Sequence, residues 1–476
     1  MKAGEITALT RGRLWRGRPG DRLGGICTDS RGLKPGQCFL ALRGERFDGH
    51  DFLKQVVGRK ASGLIVEAGR VGKNLPGKIP VIAVADTLAA LGDLAAAWRR
   101  KFSLPVIAVT GSTGKSTTKE MIARILAGRY RVLRNEGNLN TLIGLPLTLL
   151  QLKPSHRAAV LEMGMNRPGE IARLTEIAAP DIGLITNVGP VHLEGLGSLA
   201  GVARAKGELA RGLDPEAWAI VNLDDARARK LWARHRGPRI GFSRRPRDSR
   251  GFEETLHLAA FRPVMKNGRP GIEFALQLEK SGRPYGRPAE FNLETLAWHN
   301  VENVLAAAAV CRALGVPLPE AARRLRDFQG LKGRNQLLAL PGGIKVVNDS
   351  YNANPVSMLS ALRSFNYWRG KGRAFVVLGD MLELGRFAAA EHRRLGRALG
   401  EMGFERLVLR GEFSELTARA AIQAGVSKTK IKVMGSNREV VSLLRAELQP
   451  GDWVLVKASR KLRLDEVVEA LHRGKR

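Results

Sequence analysis

The segment Val106-Ile-Ala-Val-Thr-Gly-Ser-Thr-Gly-Lys-Ser-Thr-Thr118 carries the most specific chemistry in the chain. An apolar run that feeds a glycine turn and then a helix brings backbone amides against phosphate oxygens, with the positive helix end behind them. Gly111 and Gly114 let the backbone come close, and Ser112 and Thr113 fill the turn between them. Lys115 is placed to reach the outer phosphates of a nucleoside triphosphate, and the hydroxyls of Ser116 and Thr117 follow it, Ser116 at the magnesium position. The common phosphate-loop spacing asks for glycine at position 109, where this chain has Val109. The turn is therefore a shorter form that begins at Thr110-Gly111.

Other reactive side chains gather at predicted strand ends. Residues 158–161 are apolar and end on Glu162, where a nucleotide-binding sheet places a metal-directed carboxylate. His192 follows the apolar run 182–186 and is expected on the same sheet edge. Lys206 falls in a helical stretch, 198–209, and taken alone would be a surface lysine. Amides and carboxylates cluster at Asn138, Asn140 and Thr141, at His299, Asn300 and Asn303, and at Asp349, Asn352 and Asn354. Such groups suit hydrogen bonds to ribose, adenine or a peptide. They also favour turns and caps, and each cluster alone fits either role.

These residues need a scaffold of strands and helices, and the chain reads as three blocks. In residues 1–103, short apolar runs (38–42, 63–66 and 81–84) alternate with turns, and a helical pattern over 88–102 closes the block. Ser103-Leu104-Pro105 breaks that helix and marks a hinge. Residues 104–332 hold the phosphate loop, core strands at 158–161, 182–186 and 219–222, and an alanine-rich helix over 301–314. Between them, residues 244–288 are polar, with short β-like pieces and many glycines and prolines, which suggests an excursion or a β-rich flap. Residues 333–476 repeat strand then helix, with strands at 344–347, 374–378, 407–409, 431–433 and 453–457 and helices at 388–402, 414–424 and 438–447. This alternation predicts an α/β protein with parallel sheets: a phosphate-loop ATPase-type central sheet and a Rossmann-like last block.

Composition narrows the class. The chain has 476 residues, 44% hydrophobic and 26% charged, the profile of a globular protein of several domains. No apolar run is long enough to span a bilayer, and the N-terminal stretch lacks the apolar core of a secretory signal. Cys27, Cys38 and Cys311 are scattered without a paired motif, which suits a reducing cytoplasm. The 78 Lys and Arg against 45 Asp and Glu give a net charge of +33. That balance suits nucleic acid or any polyanionic substrate. Residues 234–250 hold the densest basic run, yet they lie among proline and glycine with one aromatic, Phe242. No recognition helix, zinc finger or RNA-binding aromatic motif accompanies it, so nucleic-acid binding is not expected.

Taken together and in order, Thr110-Gly-Ser-Thr-Gly-Lys-Ser-Thr117, Asn138-x-Asn140, Glu162-Met-Gly-Met-Asn166, the 187–192 loop, His299-Asn-x-x-Asn303, Gly333-Arg334 and Asn348-Asp-Ser-Tyr-Asn-Ala-Asn-Pro355 resemble the Mur ligase family of bacterial cell-wall synthesis. The likeness covers nearly the whole chain. It includes Thr28-Asp-Ser-Arg31 in the first block and Leu378-Gly-Asp-Met-Leu-Glu-Leu-Gly385 in the last. It is strongest to the last member of the ligase series. That implies ATP-dependent ligation of D-alanyl-D-alanine to UDP-N-acetylmuramoyl-tripeptide through an acyl phosphate, by a cytoplasmic monomer. The first block would bind the UDP-sugar, the second ATP, and the third would supply the ligase domain.

The resemblance implies Lys115, Lys206, His192 and Arg334 as catalytic groups. Ser116, Glu162 and His192 would hold Mg²⁺, together with Lys206 if it is carbamylated. Gly111 to Thr117, His299, Asn300, Asn303, Arg334 and Asp349 would bind ATP. Asp29, Ser30, Arg31, Asn138, Asn140, Thr141, Asn352 and Asn354 would bind the other substrates. The family's sister ligases that add diaminopimelate tend to carry Asp-Asn-Pro-Arg, which this chain lacks. Folylpolyglutamate synthase would leave the first block unexplained, and a nucleic-acid motor has no use for the 348–355 loop. Ala458 stands where members usually have glycine, and 461–464 lacks their methionine.

Overall fold

Among the described residues three β-sheets, each drawn from a successive stretch of the chain, position the reactive side chains. The computed structural model describes residues 1–44, 47–71 and 77–473. The first sheet has five strands in the spatial order Arg13–Arg16, Val81–Val84, Gly63–Glu67, Cys38–Leu40 and Ile26–Cys27. Its inner strands are fully buried runs such as Val-Ile-Ala-Val, as expected for strands covered on both faces.

The middle sheet has nine strands. At its centre Val106–Thr110 lies between Ala158–Glu162 and Ile182–Ile185, all three parallel. Glu162 sits in register with Val109, and Ile185 with Thr110. Three parallel neighbours that end together open a crevice outside their carboxyl ends, where doubly wound sheets bind ligands. The glycine turn, Glu162 and the loop leading to His192 all leave from this crevice.

The expected flap is instead an extension of the same sheet. Glu254–Lys266, Arg269–Lys280 and Arg283–Leu293 are long antiparallel strands joined to the parallel set through Arg239–Ser243, so the sheet is mixed. Asn267-Gly268 and Ser281-Gly282 each supply two positive φ angles, the requirement of the tight hairpin turn. Phe274 and Phe291 stack across the pair at 5.2 Å between ring centroids. The glycines and prolines that suggested irregular structure serve the turns and the outer strand, where proline is tolerated.

The last sheet has six strands, parallel except for Gln336–Ala339. Its centre sets Trp453–Lys457 between Lys345–Asp349 and Ala374–Gly379. Asp349, Lys457 and the 380–385 loop therefore leave neighbouring strand ends, as the middle sheet's groups do.

The helix Thr87–Arg99 packs the first block on the second. Asp86 caps its start, with Oδ1 accepting from the amides of Leu88 (2.7 Å) and Ala89 (3.0 Å). At its other end Arg99, 8% exposed, donates to the Ala178 carbonyl (3.0 Å), the Phe102 carbonyl (2.9 Å) and the Ala179 carbonyl (3.2 Å). It also reaches Asp181 at 3.3 Å. One buried guanidinium thus satisfies the carbonyls that end the helix Glu170–Ala178, a demand every helix C-terminus makes. Arg99→Ala is expected to cost about 2 kcal/mol, because it strands buried acceptors, and Arg99→Lys recovers little of it. Thermal melting followed by circular dichroism checks both variants.

Candidate active site

Steric limits fix the glycine turn first. Gly111 has φ +150°, and a Cβ there would lie 1.9 Å from Thr186 Oγ1. At Gly114, φ is +80° and a Cβ would lie 2.4 Å from Asn303 Oδ1. The turn is also laced to the neighbouring loop. Thr186 Oγ1 donates to the Thr113 carbonyl (2.7 Å), the Thr113 amide donates to Asn187 Oδ1 (2.9 Å), and the Ser112 amide donates to the Asn187 carbonyl (3.0 Å). A phosphate cradle held in this way needs little reorganisation when an anion arrives.

The helix Lys115–Leu126 begins at the turn, and three charged groups converge on its first residues. Ser116 Oγ donates to Glu162 Oε2 at 2.6 Å, while Arg334 Nη2, from the last block, donates to Ser116 Oγ at 3.0 Å. Glu162 Oε1 accepts from Asn140 Nδ2 at 2.8 Å. Lys115 Nζ folds back onto the Gly111 carbonyl at 2.8 Å. Crowding by protein lowers the Lys115 pKa, Arg334 adds to the effect and Glu162 opposes it. Lys206, 2% exposed, is held well below its ordinary value by burial first and by Lys115 second, against the pull of Glu162.

The remaining predicted nucleotide groups line the same cleft. It is bounded by residues 112–117, His299, Asn300, Arg334, Asp349, Asn352, Asn354 and Lys457. Asn303 stands just behind, its Nδ2 donating to Asn300 Oδ1 (2.9 Å) and its Oδ1 accepting from Thr118 Oγ1 (3.3 Å). The His299 ring meets Ser360 Oγ at 3.2 Å, and burial pushes its pKa down. His192, in the left-handed region at φ +51°, lies with Nδ1 2.6 Å from Glu383 Oε2. The contact is close, but the ring N–H does not point along the hydrogen-bond axis.

Several expected substrate groups have other partners in this structure. Thr141 Oγ1 accepts from the Gly144 amide (3.2 Å) at the start of the helix Gly144–Leu149, and Asn354 Oδ1 accepts from the Ser357 amide (2.9 Å) to cap Pro355–Arg369. Asn140 supports Glu162, and Asn138 is exposed. Asp29 and Arg31 pair with each other at 2.9 Å on the surface of the first block, beside a buried Ser30, and none of the three lines the nucleotide cleft.

Sequence reasoning missed three groups. Lys457 is buried and donates to Asp349 Oδ2 (2.6 Å) and the Asn352 carbonyl (3.0 Å), tying two strand ends of the last sheet. Its signal is a lysine closing the apolar run 453–456. Asn135 accepts from the Glu162 amide and donates to the Glu162 carbonyl, both at 2.9 Å, so one side chain holds that residue's backbone. Glu383 stands inside a motif that the sequence marks, but spacing alone gives it no role. A turn asparagine and a loop glutamate carry no distinguishing pattern in one sequence.

Comparison with known proteins follows the same blocks. The chain matches the Mur ligase family, catalytic domain, over residues 22–99, the Mur ligase middle domain over 109–311, and the Mur ligase, glutamate ligase domain, over 333–460. It is 33% identical to the UDP-N-acetylmuramoyl-tripeptide–D-alanyl-D-alanine ligase of Bacillus subtilis, covering 94% of this chain and 93% of that one. The crystal structure of MurF from Acinetobacter baumannii superposes with a TM-score of 0.85 at 32% identity, covering 99% of this chain and 98% of the other. MurF from Thermotoga maritima in complex with ADP superposes with a TM-score of 0.78 at 28% identity, covering 95% and 97%.

The buried Lys206 gives a pH prediction. Below about pH 10.4 the unfolded chain takes up a lysine proton that the folded site resists, so this residue lowers stability at neutral pH and stability recovers as pH rises. Lys206→Met removes that opposition. In carbon-dioxide-free buffer the variant is expected to melt above the wild type at pH 7, with the gap narrowing towards pH 10, as followed by circular dichroism.

Proposed function

The chain belongs to the Mur ligase family and ligates D-alanyl-D-alanine to UDP-N-acetylmuramoyl-tripeptide with ATP, and we propose how its residues divide that work. The observation that carries the reading is the meeting of Arg334, from the last block, with Ser116 of the phosphate turn, whose hydroxyl in turn donates to Glu162 at the neighbouring strand end. Phosphoryl transfer needs little covalent help from protein but much alignment and positive charge. This convergence provides both.

The tripeptide's terminal carboxylate attacks the γ-phosphorus, ADP leaves, and an acyl phosphate forms. The dipeptide amine then attacks the acyl carbon, loses a proton, and expels phosphate. Lys115 and Arg334 hold the transferring phosphoryl group from two sides, one from each block. Gly111 to Thr117 cradle the phosphates, while His299, Asn300 and Asn303 face adenine and Asp349 the ribose. Asp29, Ser30 and Arg31 receive the UDP-sugar. Asn138, Asn140 and Thr141, with Asn352 and Asn354, border the peptide path. Residues 1–103, 104–332 and 333–476 act as the three units, with hinges near 104 and 332. Their closure keeps water from an intermediate that would otherwise hydrolyse. ATP and a nucleotide-linked substrate place the enzyme in the cytoplasm, where it acts as a monomer.

The donors fit Mg²⁺. Glu162 and Ser116 offer hard oxygen atoms at hydrogen-bonding distance from each other, and His192 can serve a second ion. Among the described residues no three His, Cys, Asp or Glu side chains gather as a cage. Mg²⁺ suits such a site, since it takes one or two carboxylates and completes its shell with phosphates and water. Bound there, the ion would neutralise charge between the phosphate oxygens. Lys206, whose burial favours the neutral amine, is suited to carbamylation: its nitrogen adds to carbon dioxide, a proton leaves, and a carboxylate-like anion faces Lys115.

The test is phosphate release from ATP and Mg²⁺ with UDP-N-acetylmuramoyl-tripeptide, followed with the product mass. Release that needs D-alanyl-D-alanine, with a mass gain of one dipeptide, is expected; release independent of either substrate overturns the reading. Lys115→Ala is expected to lower kcat by at least about 100-fold with an unchanged melting temperature. Arg334→Ala should lower kcat by a similar factor while leaving the affinity for the UDP-sugar, measured by calorimetry, within about three-fold of the wild type.

A further inference from the structure

The motif Leu378-Gly-Asp-Met-Leu-Glu-Leu-Gly385 takes no part in the chemistry assigned so far, yet its end touches the centre of the site. It leaves the strand Ala374–Gly379 as a loop fixed from behind at every step. Asp380 accepts from the amides of Glu412 (2.7 Å) and Phe413 (3.2 Å), and its carbonyl accepts from the Ser459 amide (3.1 Å). The Met381 amide donates to His392 Nε2 (3.1 Å), and the His392 ring stacks on Phe413 at 4.6 Å. The Leu382 amide donates to Ser459 Oγ at 2.9 Å. An arm held in this way moves only with its whole block.

What the arm carries is Glu383. Its backbone adopts φ +63°, a conformation that costs a non-glycine residue energy and persists only where the surroundings impose it. The residue it meets, His192, is also left-handed at φ +51°. Beside the contact between Glu383 Oε2 and His192 Nδ1 at 2.6 Å, the Glu194 amide donates to the Glu383 carbonyl at 3.2 Å, and Gly385 packs against Glu194. Two strained residues from different sheets therefore face each other across the block boundary, backbone and side chain both engaged.

We infer that Glu383 is a positioning residue: its carboxylate, delivered by the last block to 2.6 Å from His192 Nδ1, needs only a rotation of the ring to accept the Nδ1 proton, and so holds the imidazole in one orientation and one tautomer. A carboxylate behind an imidazole fixes tautomer and ring orientation in many sites, and removing one commonly costs about 10- to 100-fold in function. Here the carboxylate arrives from another block, so the His192 side of the site is complete only when that block has docked.

The inference rests on the ligase reading, and its test separates the two. In ¹⁵N-histidine-labelled protein above pH 8, the His192 signal, assigned through His192→Gln, reports the neutral ring's tautomer. Wild type is expected to hold the Nδ1–H form, and Glu383→Ala to show the mixture of a free imidazole. In the ligase assay Glu383→Ala is expected to lose about 10- to 100-fold in kcat. KM for ATP and for the dipeptide should stay within about three-fold, with the melting temperature unchanged. Glu383→Gln, whose amide oxygen accepts the same proton, should restore most of the rate. An unchanged tautomer in Glu383→Ala overturns the proposal. So does a rise confined to the dipeptide KM, which would mean that the carboxylate binds the incoming amine instead. Wild type without ligase activity would sink the reaction assignment, while the tautomer still decides the role of Glu383.

Discussion

Two cations and a buried lysine held toward its neutral form face one buried carboxylate in this cleft, and much of the site follows from that arrangement. Lys115, Lys206 and Arg334 surround Glu162, whose two oxygens already accept from Ser116 and Asn140. Like charges at close range repel one another, and more strongly the less water lies between them. The protein answers in part by lowering the proton affinity of both lysines. The rest of the compensation must come from anions. A nucleoside triphosphate supplies them at Lys115 and Arg334, and a carbamate on Lys206 would supply another. The cleft by itself thus gathers positive charge, and an anionic substrate offsets it on binding.

Only a rigid frame can keep such a cluster together. Two sheets do this by the same device: parallel neighbours that end in register. Val106–Thr110 with its two neighbours sets out the phosphate turn, Glu162 and the His192 loop. Trp453–Lys457 with its neighbours sets out Asp349, Lys457 and the Glu383 arm. The cleft is the space between these two rows of strand ends, so its chemistry depends on how the blocks stand to one another. Arg334 on Ser116 and Glu383 on His192 are contacts across that space, and both groups act electrostatically on Lys115. Small movements of the last block would therefore change the phosphate site and the imidazole together, which couples assembly of the site to closure.

How much of this was legible in the sequence depended on whether a residue's role is local. The glycine turn, its lysine and its serine were plain because spacing alone dictates the backbone path, and Val109 in place of glycine changed nothing beyond where the turn starts. The strand 453–457 could be bounded because buried parallel strands are short and almost uniformly apolar. The 244–288 stretch was legible as β-rich but not as an extension of the middle sheet, because its prolines and glycines mark both short irregular pieces and outer strands with tight turns. A single sequence does not say which. Asn135, Lys457 and Glu383 were hidden for a different reason. Each acts on a residue 27 or more positions away, through contacts that exist only after the sheets have formed.

The net charge of +33 invites a polyanion as partner, but its distribution argues otherwise. The basic excess divides almost equally among the three blocks, and the dense run near residues 234–250 is partly answered by acids. Arg247 pairs with Asp224, and Arg250 with Asp248. A surface positive on all sides draws any anion towards the protein without choosing where it lands. Selection then falls to a place where cations from two blocks are held close to the phosphate turn. That place is the cleft, where fixed geometry distinguishes a triphosphate from the general anionic background.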